Sequence, residues 1–193
     1  APQPWFLTET RVVNRKMSDA QPADTINPRN GEEYLVESIA NLRAGLERNA
    51  GVLDMQLKSV THEESLVQPP YHGNCLNWIL GHLNISRANL LKLAGLPAPW
   101  PDGAYARYKR DSDPIVAPED ALPLERLRAD FATTQELLLA RLDEMTPDEL
   151  AAPAAWGRGT TLEMLEFLAW HETYHVGQTE ILRQVAGKND KVI

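Results

Sequence analysis

The sequence predicts an all-α fold, a four-helix bundle with a long crossover connection. Three observations carry this. Four long windows lack proline, at 29–68, 71–96, 124–146 and 154–193, and proline inside a helix removes a hydrogen bond and clashes with the preceding turn. Each window spaces apolar residues three, four or seven apart, as an amphipathic helix does. None sustains the period-two alternation of a half-buried strand, so no sheet is expected.

The first window carries Leu35, Ile39, Leu42, Leu46, Leu53 and Leu57 on one stripe, with Asn30 and Glu33 spaced as a capping pair. One long amphipathic helix is expected there. In the second, Leu76, Ile79, Leu80, Leu83, Leu90 and Leu91 form the stripe, which Asn74 starts and Gly95 stops ahead of Pro97. The third repeats the pattern with Leu124, Leu127, Phe131, Leu138 and Leu142, behind Pro123 in a position that tolerates proline, and ends near Met145 and Thr146. The fourth opens with Thr160 and Glu163 as a capping box and places Met164, Phe167, Leu168, Leu182 and Val185 on one side. Between the second and third helices, residues 97–122 include PAPWPDG and SDP. That stretch is too long for a tight hairpin and is expected to cross one end of the bundle.

A chain of 193 residues is long enough for one well-filled core. The helical domain is expected over 30–193, after a loose N-terminal extension over 1–29. In that extension Met17, followed by SDAQ, reads like a protein start, and no basic segment leads an apolar core as in a secretory signal. With 19 Lys and Arg against 27 Asp and Glu, the net charge of −8 would repel a phosphate backbone, so nucleic acid is not an expected partner. No apolar run approaches the roughly 18 residues of a membrane helix. The single cysteine, Cys75, has no internal disulfide partner, which fits a reducing, cytoplasmic setting.

The fourth helix contains WHETYHVGQ, in which His171 and His175 lie four apart. On a helix they point about 40° apart, into the apolar sector of Met164, Leu168 and Leu182. Two imidazoles desolvated together need partners for four ring nitrogens, and a shared metal ion supplies them. The pattern H-E-x-x-H also invites a zinc-protease reading. A thermolysin-like site expects a carboxylate about twenty residues beyond the second histidine, and 18 residues follow His175. A metzincin needs glycine and histidine where Gln178 and Ile181 stand. A third ligand is therefore expected from another helix. His62, in THEES, and His72, in PPYHG, have polar or turn-like surroundings, whereas His82 borders the apolar stripe of the second helix, one turn after Trp78. Cys75 lies two turns, or ~10 Å, from His82 and reads as a small core residue.

NWILGHL at 77–83, followed far downstream by HETYHVGQTEILRQ at 171–184, resembles the DinB-like, or YfiT-like, superfamily, the damage-inducible DinB proteins of bacteria. The resemblance covers about residues 30–187. It implies a four-helix bundle with a crossover, frequent dimers and one divalent metal held by three histidines, which fall here on His82, His171 and His175. Members with assigned activities include bacillithiol-dependent S-transferases, a mycothiol-dependent maleylpyruvate isomerase and hydrolases.

Three neutral imidazoles leave a tetrahedral ion one open position, the layout of a catalytic site. The expected function is thiol S-transfer to a small electrophile, or hydrolysis, by a metal-dependent enzyme acting on a small molecule. The competing class is a non-enzymatic metal or ligand sensor that keeps the site. Zinc and nickel lead among the ions that imidazole suits, ahead of copper and iron. Glu172 is a candidate base, but it points about 80° from the mean histidine direction, which favours a role as an interhelical partner. Gln178, one turn on, is placed to orient a ligand histidine or touch substrate.

Overall fold

The computed structural model describes residues 28–190. The extension expected over 1–29, including Met17, lies outside them except for its last two residues, which are already helical. Six α-helices are present among the described residues: α1 (Pro28–Leu57), α2 (His62–Ser65), α3 (Leu76–Leu93), α4 (Leu124–Glu144), α5 (Pro147–Ala151) and α6 (Thr161–Val185). Among the described residues there are no strands, only one isolated bridge between Pro153 and Thr160. None of the helices is long and apolar enough to cross a membrane.

The four long helices match the four windows, with shifts at their ends. Helix α1 begins at Pro28, not at Asn30, because proline at the first position loses no hydrogen bond and has φ already set for the helix. It stops where Ser59 turns left-handed, at φ 60°. The rest of that window is not continuous helix. The short α2 restarts at a capping box in which Thr61 accepts from the Glu64 N–H and Glu64 returns a bond to the Thr61 N–H. A second such box, Thr146 with Glu149, starts α5. Helix α3 has Cys75 as its N-cap residue, one after Asn74, and ends as expected just before Gly95. There φ is +82° and the Leu96 N–H reaches back to the Leu91 carbonyl at 2.8 Å. The Thr160–Glu163 box opens α6 as expected.

Residue pairs fix the helix directions. Asn49 bonds Thr173 and the Gln56 carbonyl bonds Arg183, so α1 and α6 run parallel. Arg43 with Asp143 and Asp54 with Arg128 set α1 antiparallel to α4. Asn84 donates to the Leu127 carbonyl and Arg141 to the Ala94 carbonyl, so α3 and α4 are parallel. The connection between them must therefore travel back along α3, and it does so as part of the core: Tyr105, Tyr108 and Ile115 are buried. The Tyr108 ring lies on Gly81, where an added Cβ would meet it at 2.0 Å. Glycine inside a helix costs about 1 kcal/mol against alanine; here it makes room for that ring. The Tyr108 hydroxyl then donates to Asn77 and accepts from the Leu122 N–H.

The apolar interior falls into two clusters. One gathers Leu53, Leu57, Leu76, Leu83, Tyr108 and Leu127; the other gathers Leu42, Leu46, Leu90, Leu138, Leu165 and Leu168. Buried polar residues from both layers' neighbours, Asn49, Arg87 and Glu172, meet at the level between them. Phe167, placed by its spacing on the core side of α6, is instead 51% exposed. It stands 100° from Leu168, in a row with Trp170 and Tyr174.

Candidate metal centre

His82, His171 and His175 come together between α3 and α6. Each offers a ring nitrogen, and these nitrogens lie within 4.8 Å of one another. The Nε2 atoms of His171 and His175 are 3.1 Å apart. Ligand nitrogens around a tetrahedral zinc ion, at bonds of about 2.0 Å, sit roughly 3.3 Å apart, so small ring movements would close the set on an ion.

The outward nitrogens are all engaged. His82 Nδ1 is 2.9 Å from the Tyr108 carbonyl, which only accepts, so that nitrogen carries the proton and Nε2 keeps its lone pair. His175 Nδ1 donates in the same way to Gln178 Oε1 at 2.7 Å. Ser86 Oγ lies 3.2 Å from His171 Nδ1. This is the outer support that metal-binding imidazoles use to fix tautomer and ring orientation. Trp78 stacks on the His82 ring at 4.8 Å and 10°, and its indole N–H donates to Ser112.

Burial keeps all three rings in the neutral, ligand form. It is the main cause that lowers the His82 and His171 pKa values and takes His175 down to about 4, against a bond to Gln178 that acts the other way. In the unfolded chain the same imidazoles take protons near the usual value of about 6.5. Between these limits the unfolded state binds more protons, so stability is full above about pH 6.5 and falls as pH drops toward 4. We expect urea unfolding of the metal-free protein to give a lower stability at pH 5 than at pH 7, with a smaller difference in His175→Ala. Equal differences in the two proteins would contradict this.

The other residues singled out from sequence have different places. His62 accepts from the Leu124 N–H through Nδ1, His72 is exposed, and neither joins the cluster. Cys75 is fully buried, and burial raises its thiol pKa. Glu172 is also fully buried, with both carboxylate oxygens taken: Arg87 Nε reaches Oε2 at 2.5 Å and Arg87 Nη2 reaches Oε1 at 2.8 Å, while Asn49 donates to Oε1. It is an interhelical partner. Sequence reasoning passed over Ser86, Arg87 and the Tyr108 carbonyl. For Arg87 a signal existed, since it is the sole charged residue in the first 16 of α3 and most of that helix is buried, and a buried charge requires a partner.

No curated protein matches the chain. A family model described as the DinB superfamily matches residues 45–179, a span that contains all three clustered histidines and Gln178. The chain belongs to the DinB superfamily.

Proposed function

We propose that His82, His171 and His175 bind one divalent ion, zinc or nickel first, and that the protein is an enzyme transferring a small thiol to an electrophile. The observation that carries this is the convergence of three ring nitrogens whose opposite nitrogens are each held by a protein group. With the protons of His82 and His175 on Nδ1, both Nε2 lone pairs point into the cluster, which is the arrangement that an ion would use. When bound, the ion would offer an open position and lower the pKa of the thiol or water entering it. The chain's own groups orient: Gln178 holds His175, the Tyr108 carbonyl holds His82, and the Trp78 ring screens the far side of His82 from water. No protein cysteine competes as nucleophile, because Cys75 is buried and protonated. Glu172 is assigned no proton transfer, since its oxygens are committed to Arg87 and Asn49.

The same reading takes the four long helices as the superfamily's four-helix bundle with a crossover connection, working in a reducing, cytoplasmic setting where low-molecular-weight thiols are available. It also takes the protein as a homodimer. Phe167, Trp170 and Tyr174, all more than half exposed, form a row on α6 with ring centroids 5.9 and 6.4 Å apart, an apolar face suited to association. Sedimentation of wild type against Trp170→Asp tests the dimer, and a monomeric wild type would remove it.

Bacillithiol, mycothiol and glutathione, each assayed with a general electrophile before and after chelation, test the reaction. Turnover that chelation abolishes and added zinc or nickel restores is expected with at least one thiol, and is expected to be absent in His82→Ala. Metal-dependent ester hydrolysis without thiol turnover would move the protein to the hydrolases. Metal binding with neither reaction would place it with non-enzymatic sensors.

A further inference from the structure

A cavity of about 300 Å³ opens between α1 and α4, and none of the three histidines lines it. The two helices are tied at levels on either side of it. At one, Arg43 holds Asp143 and the Leu139 carbonyl; about three turns along α1, Asp54 meets Arg128 at 3.1 Å. Between these ties Ala50 and Ala132 face the gap, and two methyl groups are too small to fill it. The floor is apolar: Leu53 and Leu57 of α1, Leu80 of α3 and Phe131 of α4 are each 5% exposed or less. Such a concavity, at the small end of the range for ligand pockets, suits an apolar body better than water. The polar lining residues are Asp54, Arg128, Gln135 and Glu136, and three of them already have partners. Arg128 and Asp54 hold each other, and Gln135 Oε1 accepts from Arg87. Glu136 is the exception. The residues one turn to either side of it, Ala132, Thr133, Leu139 and Ala140, include no base, and it joins no ion pair among the described residues.

We propose that this cavity binds a small aromatic amine, with its ring against the leucines and Phe131 and its ammonium group at Glu136. Two carboxylates against one guanidinium leave the lining with one negative charge in excess, in a chain of net charge −8. A cation is drawn to such a mouth and an anion of the same shape is repelled. The ammonium supplies N–H donors, which the Glu136 carboxylate accepts as charge-assisted bonds. Phe131 selects a ring over an alkyl chain, because paired aromatic rings gain more than their buried area alone provides. The site is separate from the histidine cluster and does not depend on a metal ion there.

Saturation-transfer NMR titrations of the protein with tryptamine and with indole-3-propionate, which share a ring system and differ in the charge of the head group, test the proposal. Wild type is expected to bind tryptamine more tightly, by about threefold, the scale of one exposed charge pair. Glu136→Gln is expected to remove that preference. Ala132→Trp, which fills the gap from α4, is expected to abolish tryptamine binding, and Ala50→Leu, which fills it from α1, to weaken it if the tryptophan variant does not fold. His82→Ala is expected to bind tryptamine as wild type does. Equal affinity for the two compounds in wild type, or a preference that survives Glu136→Gln, would overturn the amine assignment. Tryptamine that binds both filled variants as it binds wild type, that is lost in His82→Ala, or that does not bind wild type at all would overturn the site.

Discussion

Alanine at His171 or His175 is expected to abolish stoichiometric zinc binding and leave the helical content of the protein unchanged. Two imidazoles remain in either variant, too few for a tight site, whereas the fold does not draw on the cluster for its core. His171 and His175 are only partly buried, and leucines from all four long helices fill the interior around them. Metal then adds stability by linkage and does not nucleate the fold. At a free zinc concentration a thousand times the Kd this amounts to about 4 kcal/mol, visible as a rise in Tm for wild type and no rise for the variants. Elemental analysis after gentle purification, with thermal melts at several zinc concentrations, makes the comparison. If zinc raises the Tm of His171→Ala as much as that of wild type, the histidines are a packed cluster and not a metal centre. If chelated wild type loses most of its helical circular dichroism at room temperature, the site belongs to the structural class instead.

The long helices were legible because proline and apolar period act locally, within one window at a time. The Thr160–Glu163 box could be placed to the residue and the stop of α3 to the neighbourhood of Gly95, since each is a short-range exchange of hydrogen bonds. Helix α2 and helix α5 were not read, although Thr61 with Glu64 and Thr146 with Glu149 carry the same signature. A capping box marks a start but says nothing of length, and these two helices run for only 4 and 5 residues. For the site, the i, i+4 spacing showed that His171 and His175 share a face, and the place of His82 at the border of an apolar stripe made it the favoured third ligand; contacts between helices leave no local pattern, so the full set came only as what the family resemblance implies. The Tyr108 carbonyl that orients His82 is backbone and has no sequence signal. Phe167 was misplaced for a related reason: it is apolar and lies one residue from Leu168, and only the packing of α6 reveals that its sector faces outward.

Arg87→Ala is expected to destabilise the protein by about 3–5 kcal/mol, the usual result of removing one partner from a buried ion pair. The side chains of Arg87 and Glu172 are both 0% exposed. Arg87 also donates to Gln135 on α4 at 2.5 Å and lies 4.4 Å from the centroid of the Phe131 ring, while Asn49 on α1 completes the Glu172 shell. All four long helices thus meet at one polar node between the two apolar clusters. Truncating the arginine leaves a carboxylate dry and unpaired, which water cannot reach without opening that layer. Urea unfolding of Arg87→Ala and of the double variant Arg87→Met/Glu172→Leu separates the cost of the stranded charge from the worth of the pair. We expect the double variant to recover most of the loss, because apolar residues of similar volume often replace a buried pair without penalty. A single variant that loses under about 1 kcal/mol would show that solvent enters the node. A stable double variant also isolates the node's bearing on the metal centre: Glu172 directly follows His171, and the grip of Arg87 on it fixes the rotation of α6 about its axis. If rotation is what aims His171 and His175 at His82, the double variant should fold normally and bind zinc about 10- to 100-fold more weakly, the range seen when outer supports of a metal site are removed. Unchanged zinc affinity would confine the node to holding the helices together.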